Sequence, residues 1–113
     1  MINAASFLEN MMQDRDMAIA TAEAYFAGAD DLMAKLKSAV ISKDFPALKK
    51  TIHALKGSAS VFGDTPYLEH LKKLDQLSKA ADFEQVLKQI NQLYDFSQKF
   101  DESLRLFIKG SAQ

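Results

Sequence analysis

The stretch Asp44-Phe45-Pro46-Ala47-Leu48-Lys49-Lys50-Thr51-Ile52-His53-Ala54-Leu55-Lys56-Gly57-Ser58-Ala59-Ser60-Val61-Phe62-Gly63 decides the fold. Within it Phe45, Leu48, Ile52, Leu55, Ala59 and Phe62 recur at steps of three and four. That is the spacing of one face of an α-helix, not the alternation of a strand. Asp44 is a good N-cap, and Pro46 is tolerated in the first turn because the N–H it lacks has no intrahelical partner there. Upstream the rhythm continues in Ile19, Ala22, Phe26, Ala29, Met33, Leu36 and Val40, which predicts a long helix over about 16–42 capped by Asp16. Downstream, Gly63-Asp64-Thr65-Pro66 supplies a helix stop, a cap and a first-turn proline, so a third helix is expected over about 66–80, burying Leu68, Leu71, Leu74 and Leu77. Asp82 caps a fourth, whose stripe is Phe83, Val86, Ile90, Leu93, Ser97, Phe100, Leu104 and Phe107, with Ser97 the polar interruption. A shorter helix near 4–13 is expected to lid one end. Connections this short force neighbours antiparallel, so the expectation is an all-α, up-down-up-down four-helix bundle with a short additional N-terminal helix. It forms a single domain over 1–113, with no internal repeat or linker.

The composition agrees and narrows the function. Of 113 residues, 48% are hydrophobic and 26% charged, which fits a globular domain and excludes disordered and collagen-like classes. There is no cysteine, hence no disulfide, thiolate metal site or thiol nucleophile. No apolar run reaches the roughly 20 residues of a membrane span, and the first residues lack the basic and apolar blocks of an export signal, so a cytoplasmic protein is expected. A formal charge of −1 argues against a dedicated nucleic-acid binder. The charge is unevenly spread: residues 1–34 carry a net −5, whereas residues 35–79, with nine lysines against four acids, carry +5. A basic centre suggests an anionic ligand or partner there.

His53 is the residue through which that anion can be read. It lies one step past Ile52, about 100° round the helix from a core position, and so should face water. Its helical neighbours at three and four residues are Lys49, Lys50, Lys56 and Gly57. Positive charge nearby keeps an imidazole neutral and a lone pair free to attack phosphorus, and the same lysines would face the dianion that results. Such surface terms are worth on the order of 1–3 kcal/mol each and cannot supply the roughly 8–23 kcal/mol of barrier lowering of an enzyme, so the transfer machinery must come from a partner. There is no Gly-rich phosphate loop, G-x-S-x-G or H-E-x-x-H, which argues against a self-contained kinase or phosphatase. Gly57 leaves bare backbone beside the imidazole, where a bulky partner can bring its phosphoryl group into line. The other histidine, His70, stands on another helix with no ligand cluster and reads as partly exposed and structural.

The run His53-Ala54-Leu55-Lys56-Gly57-Ser58-Ala59-Ser60-Val61-Phe62-Gly63 resembles the H-x-L-K-G-[SA]-[SA]-x-x-x-G signature of histidine-containing phosphotransfer (HPt) domains. The likeness extends over about 16–105, including Ala24-Tyr25-Phe26 and Asp31-Leu32-Met33-Ala34-Lys35-Leu36. It implies that His53 takes a phosphoryl group from the aspartyl phosphate of one receiver domain and passes it to the aspartate of another, with Lys56 steadying the phosphate and Gly57 giving clearance. The implied partners are receiver domains of response regulators and of hybrid sensor histidine kinases. The chain itself has no cofactor or metal, Mg²⁺ being expected in the receiver. Lys49, Lys50, Ser60, Ala34, Lys72 and Gln76 are the candidate docking residues. Phe62, Asp75 (where the family commonly has Glu) and Pro66 depart from the family pattern, and all three are expected to touch packing rather than His53. The chain reads as a free-standing monomeric shuttle. The competing reading is a helical adaptor that binds receivers without carrying phosphate.

Overall fold

A computed structural model describes residues 14–111. Among them every regular element is a helix: α1 (Arg15–Ser42), α2 (Phe45–Ser60), α3 (Pro66–Lys79), α4 (Phe83–Lys88) and α5 (Ile90–Ser111). The short helix expected near 4–13 falls outside the described residues. At 1.5 Å per residue the 28 residues of α1 run about 42 Å, close to the 44 Å long axis of the molecule. α1 packs on α2 and α5, and α3 packs on α2 and α5, while the short α4 lies against α3 and α5.

The caps explain where the helices begin. Asp14, two residues before the expected Asp16, accepts from the Met17 amide at 3.0 Å and starts α1. Asp44 accepts from Ala47 at 3.2 Å, and the Thr65 hydroxyl accepts from Leu68 at 3.0 Å. α2 stops at Ser60, short of Phe62: the amides of Phe62 and Gly63 turn back to the carbonyls of Ala59 and Ser60 in a tightened last turn. Gly63 then takes a φ of 80°, a left-handed conformation open to glycine without cost.

Three further expectations are corrected. The buried line of α1 is Ala18, Ala22, Tyr25, Ala29, Leu36 and Ala39, with Ile19, Phe26, Met33 and Val40 only half-buried. α1 lies against two helices at once, so small alanines occupy the line of closest approach and the larger side chains spread to its flanks. The expected fourth helix is two helices separated by Gln89, whose amide turns back to Val86 while its carbonyl receives the Leu93 amide at 3.1 Å. The apolar phase runs unbroken through this bend, since Val86, Ile90, Leu93, Ser97, Phe100 and Leu104 are all buried. His70 meets the bend: it is buried, not partly exposed, and its Nε2 lies 3.4 Å from the Gln89 carbonyl.

Aromatic rings tie the helices together. Tyr25, Phe62 and Phe100 meet edge to face with centroids 5.3 Å apart, and Tyr67 joins Phe100 at 5.1 Å. Each such pair contributes about 0.5–1.5 kcal/mol beyond the area it buries. Elsewhere Phe45 stacks on Phe83 at 4.6 Å, fixing the start of α2 to the start of α4.

Candidate functional site

Leu48, Ile52, Leu55 and Ala59 are fully buried, and this fixes the rotation of α2 about its axis. His53, one step past Ile52, is thereby turned outward, its side chain 64% exposed. Across from it, α3 is pinned by Leu68, Leu71, Leu74 and Ser78. The same rotation brings Asp75 beneath His53 with only 2% of its side chain exposed. A carboxylate that deep requires partners, and it has three. Asp75 Oδ1 lies 3.4 Å from His53 Nδ1, while Oδ2 accepts from Lys56 Nζ at 2.7 Å and is paired with Lys79 Nζ at 3.1 Å. Burial alone would push the Asp75 carboxyl up, but the hydrogen bonds and charges of Lys56 and Lys79 prevail and hold it down at about 2. It is ionised throughout the physiological range.

This has a chemical consequence for the imidazole. An ionised carboxylate only accepts hydrogen bonds, so the ring nitrogen facing it is the one that carries the proton. In the neutral ring this places the proton on Nδ1, facing Asp75, and the lone pair on Nε2. The 3.4 Å separation is long for a hydrogen bond, so the carboxylate orients the ring more than it binds it.

The surroundings of His53 divide between two shallow clefts on either side of Asp75. One, of about 350 Å³, is lined by Pro46, Lys49, Lys50, His53, Asp75 and Lys79. The other, of about 360 Å³, brings Lys56, Gly57, Ser60, Lys72 and Gln76 together with Asp75 and Lys79. Of the expected docking residues, Lys49 and Lys50 thus lie with His53, and Ser60, Lys72 and Gln76 lie with Gly57. Ala34 is exposed on α1 and lines neither cleft. A methyl group built on Gly57 would meet nothing within 4 Å, so packing within the chain does not require glycine there. The Ser60 hydroxyl is turned back onto the Gly57 carbonyl at 2.7 Å.

Asp75 and Lys79 are the site residues that sequence reasoning missed. Asp75 was expected to touch only packing, whereas it contacts the imidazole directly. The sequence does hold a signal: Asp75 stands four residues after Leu71 and three before Ser78, on the buried stripe of α3, with a lysine four residues further on. An acid at a core position with its own i,i+4 cation is an acid placed for a purpose. The lysines also act differently from expectation, since Lys56 does not lie free beside the imidazole but is tied to the carboxylate.

Residues 20–96 match the family model of the Hpt domain. The chain belongs to the Hpt domain family. No match was found among curated proteins or among solved structures. The matched span runs from early α1 into α5 and contains every residue of the Asp75 cluster. Hpt domains are phosphocarriers of two-component phosphorelays rather than kinases, and they interact with receiver domains. Among the described residues no group of three or more His, Asp or Glu side chains is placed to hold a metal ion, and no helix is long and apolar enough to cross a membrane.

Proposed function

We propose that this Hpt domain carries a phosphoryl group on His53 Nε2 between receiver-domain aspartates in a multistep phosphorelay. The observation that supports this reading most is the exposed imidazole whose Nδ1 faces a buried, ionised carboxylate among lysines. In the forward step the Nε2 lone pair attacks the phosphorus of a receiver aspartyl phosphate. The P–O bond to the aspartate breaks, the receiver regains its carboxylate, and an N–P bond forms. The ring, now bonded at Nε2 and protonated at Nδ1, is cationic at the moment of transfer, and Asp75 faces that charge. Passing the group onward is the same step reversed.

Mg²⁺ and the residues that polarise the phosphoryl group belong to the receiver. The surface carrying Lys49, Lys50, Lys56, Gly57, Ser60, Lys72 and Gln76 is the proposed dock, with Ala34 at its rim. It is basic, as suits the acidic, metal-binding pocket a receiver must present. The four long helical segments, with α4 and α5 counted as one, are proposed to alternate in direction as an up-down-up-down bundle. The domain is proposed to act as a cytoplasmic monomer.

Transfer from a set of labelled receiver domains with Mg²⁺, wild type beside His53→Gln, tests the reading. Acid-labile label on the wild type alone is the expected result. Binding of a receiver with no label on His53 would overturn it in favour of the adaptor.

A further inference from the structure

The signature lysine, Lys56, does not share a cleft with His53. The lining of that cleft includes Lys79, which lies outside the signature, together with Asp75, Lys49 and Lys50. Lys56 opens only onto the neighbouring cleft beside Gly57, whereas Lys79 borders both clefts. The two lysines also differ in freedom: the Lys56 side chain is 27% exposed and its Nζ is 2.7 Å from Asp75 Oδ2, whereas Lys79 is 56% exposed and 3.1 Å from the same oxygen. One carboxylate thus holds two ammonium groups. It needs only one for neutrality, and the longer, more exposed pair is the weaker of the two.

Resting on the phosphocarrier reading above, we infer that Lys79 is the cation that contacts the phosphoryl group on His53, while Lys56 is a positioning residue that keeps Asp75 under the imidazole. When the N–P bond forms at Nε2, a dianion appears at the mouth of the cleft that Lys79 lines. Lys79 exchanges its contact with Asp75 Oδ2 for the phosphoryl oxygens. Lys56 stays on the carboxylate, so Asp75 keeps a counter-ion and continues to face Nδ1. The apparent surplus of positive charge in the resting domain is the charge the phosphorylated form uses.

The experiment loads the full chain with phosphoramidate, a donor whose P–N bond breaks to release ammonia as the imidazole takes the phosphoryl group, so no partner enters the result. Wild type, Lys79→Gln, Lys79→Arg, Lys56→Gln and, as control, Lys73→Gln on the same helix are followed by ³¹P NMR for the lifetime of the phosphohistidine and for the pH at which its phosphoryl group titrates. Lys79→Gln is expected to shorten the lifetime about fivefold, the scale of an exposed ion pair, and to raise the phosphoryl titration, with Lys79→Arg restoring both. Lys56→Gln should loosen the fold and raise the phosphoryl titration by less than Lys79→Gln does, because Lys79 is then shared between Asp75 and the phosphoryl group, and Lys73→Gln should change neither. A phosphoryl titration and lifetime unmoved by Lys79→Gln, or moved more by Lys56→Gln, would overturn the inference while leaving the phosphocarrier reading intact. Failure of wild-type His53 to take up phosphate from either phosphoramidate or receivers would instead remove that reading.

Discussion

Asp75 shows how one residue can serve fold and site at once. Its carboxyl titrates at about 2 in the folded chain against 3.8 for the free group. A depressed carboxylate contributes stability that is fully present above its unfolded value and is lost as pH falls through the folded one, here from about pH 4 toward 2. Asp75→Asn removes this at neutral pH and leaves Lys56 and Lys79 facing each other without a counter-ion. The expected loss is about 2 kcal/mol by urea unfolding at pH 7. The same variant should slow phosphoryl uptake, because an amide no longer requires the proton on Nδ1. His53 and its outward turn were legible from its place one step past Ile52. Asp75 was not read as part of the site, because partnership between residues 22 apart in sequence depends on how two helices are rotated against each other.

Within α2, helix chemistry and function make opposite demands on Gly57. Gly57 sits inside α2 with open space where a methyl group would go, so Gly57→Ala should stabilise the fold by about 1 kcal/mol through helix propensity alone. If a receiver needs that bare backbone, the more stable variant transfers phosphate more slowly, and paired thermal melts and transfer rates check the opposition. Ala81 has a φ of 59° in the turn before α4, a left-handed conformation that costs a residue with a Cβ roughly 1–2 kcal/mol. Ala81→Gly should therefore raise the melting temperature without touching His53. The caps Asp44 and Thr65 and the stop at Gly63 were legible because each is a short-range chemical rule. The bend at Gln89 was not, since the three-four rhythm passes through it and the side chain that meets it, His70, comes from another helix.

For the whole molecule, charge is arranged by helix. Lys49, Lys50, Lys56, Lys72 and Lys79 of α2 and α3 line the clefts around Asp75, whereas a separate cleft between α1 and α5 sets Asp30, Asp101 and Glu102 beside Lys37 and Arg105. There burial, helped by Asp30 and opposed by Arg105, pushes the Asp101 carboxyl up to about 6. The folded chain therefore holds this proton more tightly than the unfolded chain. Its contribution is fully present below about pH 4 and is lost as pH rises through 6. His70 acts in the opposite sense, because burial lowers its pKa and protonation on acidification disfavours the fold. The wild-type profile combines the two, so the comparison that isolates Asp101 is Asp101→Asn against wild type. The variant should be more stable by on the order of 1 kcal/mol at pH 7.5, with the margin vanishing by pH 4 in urea titrations. The basic middle of the chain was legible as a count of lysines, and the fold gathers Lys49, Lys50, Lys56, Lys72 and Lys79 into the clefts around Asp75 while Lys37 lines the other one. In the proposed function Asp75 holds the proton on Nδ1 and leaves Nε2 to react. The most direct test is ¹⁵N and ³¹P NMR of the domain, its histidine rings ¹⁵N-labelled, after phosphorylation by a receiver. A phosphorus–nitrogen coupling at His53 Nε2 with the proton retained on Nδ1 is the predicted result; phosphate on Nδ1, or on any residue other than His53, would contradict it.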